Sequence, residues 1–464
     1  MAGRYKPYPE YKDSVVEWLR EIPVSWDVSK LRYMFSFGKG LTITKENLLD
    51  EGVPCVNYGE VHSKYSFELD PSVHPLKCVS ENYLISSPNA LLSMGDFVFA
   101  DTSEDIDGSG NFTQLTTDKI VFSGYHTIIA RPVDRQCSRF YAYLFDSREF
   151  RTQIRHAVKG VKVFSVTQAI LRGIDIWLPT LDERTIIAAF LDHETAKIDT
   201  LIEKQQQFIQ LLNEKRQAVI SHAVTKGLNT SAKMRESGVL SIGLMPEHWT
   251  LKSLSLASKK LAVGLAMSVT DCYEEEGVPI IRNQNIKEGY FDGSDMLYLN
   301  PVFAEAQASK KVKAGDVVIV RTGSNVGLAC CVPDEYDQCH TFTTLIVTPS
   351  DELAKEYFTY CMNSAYGKAE VNRLKFGFGK DNLNVGELRA MHALLPGVNE
   401  QKEIVSYLEQ EVTKIELMVK KAHIAIELMQ ERRTALISAA VTGKIDVRDW
   451  VAPQTSQTNK EVAA

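Results

Sequence analysis

This chain has no long apolar run, no catalytic signature and no excess of positive charge, and each lack removes a class of function. No segment approaches the roughly eighteen consecutive apolar residues of a membrane-spanning helix. The opening MAGRYKPYPEYKDSVVEW lacks the apolar centre of a secretory signal, so a cytoplasmic location is expected. There is no GxxxxGK followed by Ser or Thr, no HExxH, no GxSxG, and no GxGxxG opening a helix after a strand. GFGK at 377–380 is only a short Gly-rich loop. NPVF at 300–303 lacks the second proline and the tyrosine of an amino-methyltransferase motif. Asp105 and Asp107 sit in a Gly-rich acidic loop and read as solvent-facing. Nothing here marks a reaction centre.

Cysteine is present but not in pairs. None of the eight, at 55, 78, 137, 272, 330, 331, 339 and 361, forms a CxxC. The tightest group, Cys330, Cys331, Cys339 and His340, fits no common zinc spacing. Free thiols of a reducing compartment are the expectation, and no metal site is assigned. A net charge of −7 argues against broad polyanion binding. It leaves DNA open, because local basic faces matter more than the sum.

What the chain does have is an echo. AVISHAVTKGL at 218–228 returns as ALISAAVTGKI at 435–445, 217 residues later. The register holds over 182–225 against 399–442, where 17 of 44 positions are identical. Farther back, LLSMGDFVFADTS at 91–103 aligns with KVKAGDVVIVRTG at 311–323, and EGVPCVN at 51–57 with EGVPIIR at 276–282. The offset drifts there, as loop insertions allow, and stays fixed in the last part. Each repeat therefore holds a mixed α and β globular part followed by a helix of about forty residues. At about 1.5 Å per residue such a helix spans about 60 Å, more than the roughly 34 Å of one B-DNA turn.

Both helices carry apolar residues at heptad spacing. The first seam reads Ile187, Leu191, Glu194, Ile198, Leu201, Gln205, Phe208, Leu212, Lys215, Val219; the second reads Ile404, Leu408, Glu411, Ile415, Met418, Ala422, Ala425, Met429, Arg432, Leu436. An antiparallel register sets Glu194 against Arg432, Lys215 against Glu411, and Gln205 against Ala422. A parallel register sets Glu194 against Glu411, like charge on like. An antiparallel coiled coil is expected.

Two basic stretches stand at equivalent places. REFRTQIRHAVKGVK at 148–162 puts Arg151, Arg155, Lys159 and Lys162, with Arg148, at helical spacing. YGKAEVNRLKFGFGK at 366–380 supplies Arg373, Lys375 and Lys380 beside Phe376 and Phe378. Such faces suit phosphate contact; a solvated charged face is the plainer reading of either alone. VRTGSNVGL at 320–328 follows a strand, and its Arg321 and Asn325 have the chemistry to read guanine and adenine edges. A structural turn with Arg321 paired internally accounts for the same residues. The first repeat has acidic ADTSEDIDGSGN at that place.

The chain resembles the specificity subunit of type I restriction-modification systems. The resemblance is carried by YPEYKDSVVEWLREIPVSWDVSKL, the twice-used LP entry to a long helix, and the exits ISHAVTKG and ISAAVTGKID. It implies an α+β fold: two mixed α/β target-recognition domains in tandem repeat, separated by two long antiparallel helices that form a coiled-coil spacer. The expected divisions are a first recognition domain over 1–180, a spacer helix over 181–226, a second domain with its leading linker over 227–397, a second helix over 398–443, and a partly disordered tail over 444–464. The resemblance implies double-stranded DNA as ligand, read as two halves of a bipartite asymmetric site. It implies two methyltransferase subunits and restriction subunits as partners, with S-adenosylmethionine, ATP and Mg2+ held there and no cofactor in this chain. The tail after Gly443 is expected beside the N-terminus. A coiled-coil adaptor joining two protein-binding domains, without DNA, is the alternative.

Overall fold

The computed structural model describes residues 5–160, 162–374 and 382–453. Contacts divide the chain into two units, residues 1–204 with 424–464, and residues 205–423. The division falls within both long helices, Leu181–Lys226 and Val398–Val441. Each unit thus owns the start of one helix and the end of the other.

In the first unit, β1 (Phe35–Lys39), β2 (Phe67–Leu69), β3 (Phe97–Ala100), β4 (Phe112–Leu115) and β5 (Thr127–Pro132) form a sheet in the order β1-β5-β3-β4-β2. The run Phe97-Val98-Phe99-Ala100 is buried throughout because the sheet is covered on both faces. Alternate residues point opposite ways. Phe97 and Phe99 pack on helix α1 (Ser138–Asp146), meeting Phe145 at ring distances of 4.9 and 5.3 Å. Val98 and Ala100 join Val56, Leu92 and Val121 of a second, four-stranded sheet. Helix α2 (Arg148–Ala157) follows α1 after one residue, Ser147, whose side chain caps it by accepting from the Phe150 N–H. A short helix, α3 (Gln168–Gly173), lies beyond.

The second unit repeats this plan. Strands β6 (Ser258–Val263), β7 (Val317–Ile319), β8 (Ala329–Cys331) and β9 (Leu345–Pro349) run in the order β6-β9-β7-β8. Val317 and Ile319 face the helices α4 (Lys355–Asn363) and α5 (Ala365–Leu374), while Val318 faces a second sheet. The short helix α6 (Val385–Arg389) corresponds to α3.

The long helices are antiparallel within each unit. Ile187, Leu191 and Ile198 at the start of the first share a core with Leu436, Ile437 and Val441 at the end of the second. Ile220, Ala223 and Val224 at the end of the first share one with Ile404, Leu408 and Val412 at the start of the second. The helix exits are held alike. The Trp177 indole N–H donates to the Val441 carbonyl, and Ser438 Oγ accepts from the Arg148 N–H at 3.1 Å. In the second unit the Tyr357 hydroxyl donates to the Val224 carbonyl at 3.2 Å, and Ser221 Oγ accepts from the Ala365 N–H at 2.9 Å. The entries match too: Trp26 Nε1 donates to Glu183 at 3.1 Å, and Trp249 Nε1 to Glu400 at 3.0 Å.

The second helix ends at Val441 rather than 443, because Gly443 takes a left-handed φ of +74°. The chain then returns to the N-terminal segment. The Tyr11 hydroxyl donates to the Gly443 carbonyl at 2.9 Å, Asp446 N to the Lys6 carbonyl at 2.7 Å, and Trp450 packs on Phe190. Ile445, Val447 and Trp450 of the expected tail are therefore packed; residues 454–464 lie outside the described residues. Among the described residues no helix is long and apolar enough to cross a membrane.

Candidate nucleic-acid interface

The basic stretch on α2 does not form one outward face. Arg151 is largely buried, donates to Asn111 Oδ1 at 2.7 Å and pairs with Asp146 at 3.4 Å. Burial pulls its guanidinium pKa down, with Asp146 opposing. Arg155 turns to the acidic loop, donating to the Asp107 carbonyl at 3.1 Å and pairing with its carboxylate at 3.4 Å. Both arginines tether the loop 101–111. Their helical spacing is real, but their charge is spent on acids that the fold brings in. Lys159 and Lys162 are exposed and make no ion pair among the described residues.

The matching stretch in the second unit behaves similarly. Arg373 is tied to the buried Glu370 by two hydrogen bonds of 2.8 and 3.1 Å. Lys375 and Lys380, with Phe376 and Phe378, lie outside the described residues. Arg321 and Asn325 sit in the hairpin loop between β7 and β8. Arg321 donates to Asn384 Oδ1 at 2.7 Å, and its Nε is buried without a partner. Asn325 is exposed in the loop beside Gly323. Of these two, the structure leaves Asn325 facing solvent and holds Arg321 in the fold.

The cysteine group does not converge. Cys330 points into the core under the second sheet, and Cys331 points the other way, against Thr359. His340 is buried and hydrogen-bonds the Ala304 carbonyl at 3.0 Å. Among the described residues no group of three His, Cys, Asp or Glu side chains is placed to hold a metal ion.

On the long helices, the inward stripe departs from the expected seam at its middle. Leu201, Phe208 and Met418 are exposed, as are Lys215 and Arg432, while Ile202, Ile209 and Val419 are partly covered. Glu194 and Ala422 are buried, and Gln205 is half-buried. Glu194 bonds Lys197 at 2.8 Å. Arg433, not Arg432, reaches across: it pairs with Asp199 of the first helix at 3.0 Å and with Asp146 of the globular part at 3.3 Å. In the second unit Arg216, not Lys215, pairs with Glu416 at 3.9 Å and with Glu288 at 3.4 Å. In each helix pair the cation lies one residue from the expected one and its acid partner five residues from the expected one, and both differences have one cause. An arginine flanking the stripe reaches both the other helix and its own globular part, so it takes the inner place. The Lys414 ammonium at 2.7 Å, and more distantly Lys215, hold the Glu411 carboxyl below its usual range. Heptad spacing alone did not distinguish neighbouring positions 215 and 216. The recurrence of Arg216 as Arg433 at offset 217 was the available signal.

Comparison with known proteins places this architecture. The family model described as the type I restriction modification DNA specificity domain matches residues 23–211 and 261–428. The EcoKI specificity subunit, of a type I restriction enzyme from Escherichia coli (strain K12), is 23% identical over 438 residues, covering 92% of this chain and 90% of that protein. The StySPI specificity subunit from Salmonella potsdam is 22% identical over the same length and shares. A chain from a solved structure concerned with complex assembly and conformational transition of the type I restriction-modification system shares the fold, with a TM-score of 0.68 at 16% identity over 91% of this chain and 99% of that one. The matched segments cover both globular parts and most of both long helices, so the chain belongs to the type I restriction-modification DNA specificity family.

Proposed function

We propose that each unit reads one half of a bipartite, asymmetric double-stranded DNA site, and that the paired helices set the number of unread bases between the halves. As a member of its family the chain is a non-catalytic specificity subunit whose work is sequence-specific DNA recognition. The observation that carries the bipartite reading is one scaffold bearing two different loops. After the equivalent strands β3 and β7, the first unit has the acidic loop held by Arg151 and Arg155, and the second has the Arg321–Leu328 hairpin loop. Loops on a rigid scaffold are where recognition diverges.

Two methyltransferase subunits dock along the helices, and restriction subunits join that complex. Exposed Leu201 and Leu211 on the first helix, repeated as Met418 and Leu428 on the second, support docking there. S-adenosylmethionine, ATP and Mg2+ belong to those partners. Lys159, Lys162 and Asn325 remain candidate DNA contacts, as do Lys375 and Lys380. The test is to map methylated bases in DNA from cells expressing this chain with its methyltransferase partner. A bipartite motif is expected, and replacing residues 12–180 with those of a relative should change one half only. Methylation at a single contiguous motif, or a change in both halves, would count against the reading.

A further inference from the structure

The geometry points to a DNA-backbone contact in the first unit at the edge strand β1 and helix α3, built by Arg32, Tyr33, Phe37, Lys39 and Arg172. This rests on the DNA-reading function proposed above and names a surface that the basic stretches of the sequence did not. Of the arginines in those stretches, Arg151, Arg155 and Arg373 are paired with Asp146, Asp107 and Glu370. The three cations here are not: Arg32, Lys39 and Arg172 are exposed and make no ion pair among the described residues.

β1 is the outer strand of its sheet, so no further strand covers its free flank. The Arg32 guanidinium lies 5.0 Å from the Tyr33 ring centre, and Tyr33 is 65% exposed. The Arg172 guanidinium lies 5.6 Å from the Phe37 ring centre. The Gln168 side chain of α3 donates to the Gly38 carbonyl at 2.9 Å, which fixes α3 against the strand. Lys39 then opens a cleft of about 590 Å3 lined also by Thr42, Tyr125, His126 and Gln168. The acid lining that cleft, Asp101, is bonded to His126 at 3.3 Å. Exposed cations held beside Tyr33 and the half-buried Phe37 suit contact to the phosphates of a duplex.

The second unit keeps part of this edge: Val263 stands at the place of Lys39, pairing with Leu345 as Lys39 pairs with Ile128, while the short-helix cation recurs. Lys260 on the outer strand β6, and Arg389 on α6 at offset 217 from Arg172, are exposed and likewise make no ion pair among the described residues. Loop sequences diverge between the repeats, but the unpaired arginine of the short helix keeps its place, as a contact that positions without reading is expected to do.

The test uses the full chain with its methyltransferase partner and a mixed-sequence duplex long enough to cover both halves. Binding is measured against salt for the wild type and for R32Q/K39Q/R172Q. These side chains are exposed, so the variant folds, and thermal unfolding within error of wild type verifies that. The expected result is a shallower dependence of log affinity on log salt, by about 0.9 for each phosphate contact removed. The ratio of target to non-target methylation in cells should stay unchanged. An unaltered salt slope, with wild-type methylation still confined to a defined motif, overturns the patch and leaves the DNA reading standing. Loss of the motif already in the wild-type complex overturns the DNA reading itself.

Discussion

Glu370 is fully buried on α5, and the first unit solves the same problem without a charge. There Gln153, at the equivalent position, donates to the Asp175 carbonyl at 3.0 Å and accepts from the Asp175 N–H at 2.9 Å. In the second unit Glu370 takes hydrogen bonds from Arg373, Ser241 and the Nδ1 of His392. Burial alone would raise its pKa; the bonds from Arg373, His392 and Ser241 outweigh that and bring it from 4.5 to about 2. A carboxyl whose folded pKa is depressed stabilises the fold above its unfolded pKa. That contribution is lost as pH falls from about 4.5 towards 2. Glu370→Gln should cost about 1–3 kcal/mol near neutral pH, since a charged acceptor is replaced by a neutral one. It should also flatten the acid limb of the second unit's stability. Hydrogen exchange followed by segment between pH 3 and 6 checks both, and an unchanged acid limb would assign acid sensitivity elsewhere. The arginine spacing of these helices was legible in the sequence. Its partners were not, because Asp107 stands 48 residues from Arg155 in the chain and only the folded loop brings it close.

At the scale of elements, the two helix exits are one design with unequal tolerance. Gly227 and Gly443 both take left-handed conformations, at φ +72° and +74°, where an alanine costs about 1–2 kcal/mol. Their surroundings differ. A Cβ on Gly227 would stand 3.2 Å from the Trp249 ring and 3.3 Å from Glu400 Oε1. On Gly443 it would stand 2.5 Å from Pro23 Cγ, part of a rigid ring. Gly227→Ala should therefore destabilise its unit by about the conformational cost, and Gly443→Ala by about 1–3 kcal/mol more from overpacking. Thermal unfolding of the two variants compares them directly; equal losses would mean that Pro23 yields freely. The glycines, the paired helices and the repeat were readable because a helix whose packing is fixed tolerates no insertion, so the offset stayed at 217. The seam was readable to within one residue. Which of two neighbouring cations turns inward is decided by carboxylates on other elements, Asp146 for Arg433 and Glu288 for Arg216.

At the scale of the whole molecule, both long helices pass without interruption from one unit to the other. Neither has a Gly or Pro between its first turn and its exit, so nothing in either sequence lets the ladder break. If these helices set the unread interval, lengthening both together should change that interval and nothing else. Seven added residues return an apolar stripe to nearly the same phase and extend each helix by about 10 Å, about three base pairs of B-DNA. The insertion belongs at equivalent points, after Gln207 and after Ile424, so that both helices stay matched. The methylated motif from cells carrying this variant should keep both half-sites and gain about three unread bases. Five added residues provide the contrast. They turn the stripe by about 140°, so Ile198 and Ile202 would no longer share a phase with Leu212 and Ile220, and methylation should be lost. A seven-residue variant that kept the original spacing would show that the interval is fixed by the partners, and that the helices only join the two readers.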